Sequence, residues 1–131
     1  MKSAIVIDTE YTASELMNAV SCITTGMFDG GDKWIGSEVP CQDSSISPIT
    51  KVPIIIFKKN NKDWKELIKR AKRNKLKYSI FTQEAQLSKT YEEYMDKVSD
   101  MPFDSLHIMG IGVIGNKEKV SKFCGDLPLY R

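Results

Sequence analysis

The chain has 131 residues, a formal net charge of +2, 41% hydrophobic and 27% charged side chains, and three cysteines. A chain of this size and balance buries enough surface to fold on a hydrophobic core, which excludes the disordered, collagen-like and disulfide-framework classes. No run approaches the ~20 apolar residues of a membrane span, and Cys22, Cys41 and Cys124 form no CxxC pair; the expectation is one soluble domain, residues 1–131, in the reducing cytoplasm.

Ala4-Ile5-Val6-Ile7 is a β-branched apolar run, the pattern of a strand buried on both faces, ending at Asp8. Thr12 and Glu15 have capping-box spacing, so a helix begins there, with Leu16, Ala19, Val20, Ile23 and Met27 on one face and Gly30-Gly31 as its stop. Residues 32–52, broken by Gly36, Pro40 and Pro48, read as a long ordered connection. Pro53 to Phe57 is a second apolar strand. Asn60 or Asn61 is expected to cap the following helix, with Trp64, Leu67, Ile68 and Ala71 inward and Asn74 closing it in a left-handed conformation. Tyr78 to Phe81 is a third strand; Thr90 and Glu93 cap a helix through Tyr91, Tyr94, Met95 and Val98. Leu106 to Ile114 is the fourth strand, and Asn116 caps a last helix carrying Val120, Phe123 and Cys124. Alternating strands and helices indicate an α/β domain with a mostly parallel sheet, whose ligand rim at the strand carboxyl ends takes in Asp8 to Glu10, Lys58 to Asn60 and Thr82 to Gln86.

Charge is segregated along this order. Residues 1–57 carry three Lys against seven acids, residues 78–131 six cations against eight acids, and residues 58–77 ten Lys or Arg against two acids, a local +8. Lys62, Lys65, Lys69 and Lys72 share a helix face away from the apolar stripe, a surface suited to phosphate backbones such as RNA, or simply a solvated helix face.

The chain lacks GxGxxG, a Walker loop, HExxH and GxSxG, so the motifs that announce nucleotide, metal or acyl-enzyme chemistry are missing, and no cofactor or metal is expected. Gly110, Gly112 and Gly115 lie in a strand, where close helix-on-sheet packing is the expected role. The lone His107 reads as a structural or surface residue, and Cys22, beside the apolar helix face with no neighbouring cation, as a buried inert thiol. Cys124 reads as helix-end packing. Thr82-Gln83-Glu84-Ala85-Gln86 is dense in hydrogen-bonding groups at the rim and suits either a small polar ligand or a solvated turn; Asp8, Glu15 and Asn18 extend that polar wall.

The order of several short segments carries a resemblance: Lys2 to Asp8, Asn18-Ala19-Val20, Trp34-Ile35-Gly36 leading to Asp43, Pro53 to Phe57, Phe81 to Gln86 before Tyr91-Glu92-Glu93-Tyr94, and Gly125-Asp126-Leu127-Pro128-Leu129. It resembles the peptidyl-tRNA hydrolase type II fold, and more closely an uncharacterised bacterial family sharing that fold. The resemblance implies a three-layer α/β/α sandwich around a four-stranded mixed sheet, and a homodimer. The hydrolases of that fold carry a Gly-Lys pair at the start of the first helix, a Gln one turn later, and an Asp-Ala-Gly segment with a nearby Thr. Here Ser14-Glu15-Leu16 stands at the helix start, Asn18-Ala19 near the glutamine, and Thr82 to Gln86 in place of Asp-Ala-Gly. A carboxylate where a lysine is required reverses the local electrostatics, so that catalytic set is not carried over. The sequence thus favours a noncatalytic protein binding a small ligand through Asp8, Asn18, Thr82, Gln83 and Gln86, or binding a partner. The alternative is a hydrolase of peptidyl-tRNA or a related ester or amide, with Glu15, Thr82 and Gln86 as a changed catalytic set and Lys62, Lys65, Lys69 and Lys72 holding RNA phosphates.

Overall fold

A computed structural model describes all 131 residues. Strand β1 (Lys2–Ile7) leads into α1 (Ala13–Met27), a 3-10 turn at Gly31–Trp34, and a two-residue-per-strand hairpin of β2 (Val39–Pro40) and β3 (Ser45–Ile46). Then come β4 (Ile54–Lys58), α2 (Trp64–Arg73), β5 (Lys77–Thr82), α3 (Gln83–Gln86), α4 (Tyr91–Ser99), β6 (Ile108–Gly115) and α5 (Lys117–Cys124).

The four long strands form one sheet in the order β4-β1-β6-β5. It is mixed rather than mostly parallel: β1 pairs in parallel with β4, Ser3 opposite Ile54, while β6 runs antiparallel to both β1 and β5. Strands covered on both faces are apolar throughout whichever way they run, so the pattern of β6 could not reveal its direction. Because β1, β4 and β5 point the same way, their carboxyl ends do share a rim; β6 adds its amino end there, which brings His107 into that region.

Alternation along the strands feeds two cores. Ala4 and Val6 of β1, with Ile111 and Val113 of β6, pack under Leu67, Ile68 and Ala71 of α2 and Val120, Phe123 and Cys124 of α5. Ile5 and Ile7, with Met109 and Phe81, pack against Leu16, Ala19, Ile23 and Met27 of α1. The sheet is thereby sandwiched between α1 on one face and α2 with α5 on the other. The strand glycines have the expected packing role: a Cβ on Gly112 would lie 2.9 Å from Met27 Sδ and closer still to Ile23 Cγ2, so the bare backbone lets α1 settle onto β6.

Local chemistry sets the helix limits. Thr12 and Glu15 form the full capping box: the Glu15 N–H donates to Thr12 Oγ1 (3.3 Å), and the Thr12 N–H to Glu15 Oε1 (3.1 Å). The cap of α2 is Asp63, which accepts from the Lys65 N–H at 3.0 Å, and not Asn60 or Asn61; Asn60 instead takes a positive φ of 58° in the turn leaving β4. At the other end Lys75, not Asn74, is left-handed (φ 53°), because the Asn74 side chain stays behind to donate to the Arg70 carbonyl at 2.8 Å.

Arg70 fastens the chain end to α2. Its guanidinium donates to both Asp126 carboxylate oxygens (2.7 and 3.0 Å) and to the Phe123 carbonyl (3.0 Å). The following residues line up beside β4, with Lys58 N–H donating to the Pro128 carbonyl and Tyr130 N–H to that of Ile56, each at 2.9 Å. No helix is long and apolar enough to cross a membrane.

Candidate functional site

The expected polar wall is divided by the fold. Asn18, one turn into α1, and Gln86, at the end of α3, meet: Asn18 Nδ2 donates to Gln86 Oε1 at 2.8 Å. Of the remaining candidates, the side chains of Asp8, Glu15 and Thr82 bond to backbone. Thr82 is buried and its hydroxyl accepts the Ala85 N–H at 3.2 Å, which caps α3, so residues 82–86 form a short capped helix in place of a solvated turn. Gln83 N–H donates to the His107 carbonyl (2.8 Å), and Asp8 Oδ1 accepts the Glu10 N–H (3.0 Å). Glu15 takes both the N–H and the hydroxyl of Thr12, and those bonds lower its carboxyl pKa.

The lysines stand apart, on the face of the sheet opposite α1. Lys62 pairs with Asp126 at 3.2 Å and Lys65 with Asp104 at 3.3 Å; Lys69 and Lys72 point into solvent without an ion pair.

One pair was not foreseen. Glu84 is buried, and its two carboxylate oxygens accept from His107, one 3.0 Å from the backbone N–H and the other 2.7 Å from ring Nδ1. Burial by itself pushes the Glu84 carboxyl up, yet the hydrogen bonds from His107 outweigh it and hold the group below its ordinary value. An ionised Glu84 makes Nδ1 the donor and leaves Nε2 as the acceptor on a largely exposed ring. A register shift between Phe81 and Thr82, which leaves Met109 unpaired opposite them, accompanies this turn of His107 toward α3. Tyr11 lies nearby with a raised pKa, first from burial and then from the charges of Asp8, Glu84, Glu15 and Glu10. A lone histidine just before a strand was the available signal; its meaning depended on β6 being antiparallel.

A cavity of about 500 Å³ opens between α1, β5 and the α3–α4 segment. Ile23 and Phe81 form its apolar floor, Tyr91 and Tyr94 one wall, and Gly26 packs closely on Ser79 at one end. Cys22 lines it too, exposed rather than buried: the apolar stripe of α1 turns inward at Ile23, and the preceding position falls toward the open side. Its thiol lies 3.9 Å from Asn18 Oδ1, so the Asn18–Gln86 bond borders the cavity. A second cavity of about 440 Å³, nearly all apolar, lies across α1 against Ile56 and Tyr130. No group of three or more His, Cys, Asp or Glu side chains is placed to hold a metal ion.

Comparison with known proteins agrees with this architecture. A solved structure of a protein of unknown function from Agrobacterium tumefaciens strain C58 superposes with a TM-score of 0.88, covering 99% of this chain and 97% of that one at 14% identity, which establishes a shared fold. No curated protein matches the chain. The family model described as protein of unknown function, DUF2000, matches residues 1–131. The chain therefore belongs to the DUF2000 family, an uncharacterised family of the kind its segment order resembled.

Proposed function

We propose that this protein is a noncatalytic ligand-binding protein with a peptidyl-tRNA hydrolase type II-like fold, and that its ligand occupies the cavity between α1, β5 and α4. The observation that carries the reading is how the candidate groups are employed. Glu15 and Thr82, the residues nearest to a changed catalytic set, are both engaged as helix-cap partners, and Thr82 is out of reach of solvent. The cavity, in contrast, offers hydroxyls with no partner in the protein: Ser79, Tyr91 and Tyr94. Its size falls in the range of small-molecule sites, roughly 300–1,000 Å³. Asn18 and Gln86 act at its border, Asp8 and Gln83 by shaping the adjoining turns.

The test is a thermal-shift screen of small polar and aromatic compounds, followed by calorimetry. A ligand stabilises by RT ln(1 + [L]/Kd), about 2.7 kcal/mol at a hundredfold excess over Kd, and is recovered unchanged. Tyr94→Ala is expected to abolish the shift. A ligand whose effect survives that change, or one that is turned over, overturns the reading.

The Glu84–His107 pair favours a second reading, hydrolysis of peptidyl-tRNA or a related ester or amide, with His107 Nε2 as base and the α2 lysines on RNA. Single-turnover assays with N-acylated aminoacyl-tRNA at low salt decide it. Cleavage lost in His107→Asn or Glu15→Gln supports a hydrolase, as does RNA binding whose log-log salt slope is about −0.7 per phosphate contact. Sedimentation velocity tests the homodimer that belongs to the same proposal.

A further inference from the structure

The cavity's lining narrows the chemistry of its occupant; the inference rests on the ligand-binding reading above. Its walls and floor are aromatic and aliphatic: Phe81 and Ile23 below, and the Tyr91–Tyr94 pair beside them, ring centroids 5.7 Å apart and planes at 75°. Rings set edge to face present both a π face and a polarised edge to a third ring, an arrangement that adds about 0.5–1.5 kcal/mol per aromatic contact beyond simple burial. Among the lining residues a single formal charge occurs, Lys89 at the mouth. Its ammonium makes no ion pair, while its backbone N–H donates to Glu93 Oε2 at 3.0 Å and so ties the base of the side chain to α4. No carboxylate lines the cavity. Gly26 and Ser79 close the inner end by packing against one another: a Cβ at residue 26 would lie 3.2 Å from Ser79 Oγ. A cavity with aromatic walls and one cation among its lining residues matches an aromatic molecule with a negative end.

We propose that the cavity binds a small planar aromatic carboxylate, its ring between the Phe81–Ile23 floor and the tyrosine pair and its carboxylate at Lys89. The site discriminates by charge at the mouth and holds the ring on its aromatic lining.

Three probes of equal shape test this by calorimetry at low salt: 2-naphthoate, 2-naphthamide and 2-naphthylmethylammonium. The carboxylate is expected to bind at least tenfold tighter than the amide, and the ammonium weakest. Lys89→Met should bring the carboxylate down to the amide's affinity without changing the amide, whereas Lys89→Arg should keep the preference. Tyr94→Ala should weaken carboxylate and amide alike by tenfold or more, with circular dichroism and the melting temperature confirming that the variants fold. An amide that binds as tightly as the acid, or an acid preference that survives Lys89→Met, overturns the ligand class and leaves the cavity reading in place. Failure of all three probes overturns the ligand class alone, whereas binding that is indifferent to Tyr94→Ala overturns both.

Discussion

Gly112 is where the packing of α1 is most exposed to test. A methyl group there would sit 2.9 Å from Met27 Sδ and nearer to Ile23 Cγ2, where unstrained carbon contacts need about 3.5–4.0 Å. The Ile23 methyl that is struck, Cγ2, is bonded directly to Cβ and moves little without its backbone, so α1 itself must retreat by about an ångström. Overpacking of this kind costs about 1–3 kcal/mol, and the lower chain entropy of alanine offsets about 0.5–1 kcal/mol of it. Gly112→Ala should therefore lower the unfolding free energy by roughly 1–2 kcal/mol in urea titrations. Gly26→Ala, in α1, supplies the opposite sign: its methyl meets only the rotatable Ser79 hydroxyl at 3.2 Å, and helix propensity favours alanine by up to about 1 kcal/mol. Adding Ile23→Ala to Gly112→Ala should cost less than the two single changes together, by about 1 kcal/mol, because the second removes the group struck by the first. A Gly112→Ala protein within about 0.5 kcal/mol of the parent, with no coupling to residue 23, would refute the argument that bare backbone seats this helix.

Other consequences can be measured directly. Arg70→Ala removes two charge-assisted bonds to Asp126, one to Glu66 and one to the Phe123 carbonyl; since both carboxylates are 46% exposed and screened, the expected loss is about 2 kcal/mol by denaturant unfolding, against none for Lys72→Ala. The same bonds hold the Asp126 carboxyl well below its usual range, so their contribution is complete above about pH 4 and disappears as pH falls toward the folded value; Asp126→Asn should flatten the acid limb of the stability curve. Two thiols, Cys22 and Cys41, should react at once with an aromatic disulfide reagent, while Cys124, buried and pushed to about 11, should react only after unfolding; a third fast thiol would contradict the packing of α5. Glu84→Gln leaves an amide facing His107 in a buried site and should lower stability by about 1–2 kcal/mol in thermal melts, whereas the exposed Glu10→Gln should leave the midpoint unmoved.

The legible parts of the fold were those written in local chemistry. The Thr12–Glu15 box, the Asn116 cap and the apolar run of β1 depend on residues within a few positions of one another, so their spacing specifies them. The direction of β6, the exposure of Cys22 and the choice of Asp63 over Asn60 depend on what the rest of the chain places beside them. The site follows the same division. Thr82 to Gln86 were visible as a polar cluster at the rim, but Thr82's use as a cap, and the meeting of Asn18 with Gln86 across 68 positions, are tertiary facts. The cavity's aromatic wall was visible only as a helical stripe at Tyr91 and Tyr94, a pattern that reads as core although Tyr91 is left largely exposed.

The placement of β6 also dictates when this protein can acquire its shape. The first of the four sheet strands to be synthesised, β1, lies between β4 and β6, and its partner Gly115 on the β6 side is 113 positions away from Lys2. Strand β5 has no neighbour in the sheet other than β6. Of the four-stranded sheet, a nascent chain holding everything up to residue 107 therefore owns only the β1–β4 pair, with β5 stranded and α1 lacking the two glycines, Gly110 and Gly112, that it rests on. Such long-range closure is entropically costly and slow, so assembly should occur as one late, cooperative event rather than from the amino terminus onward.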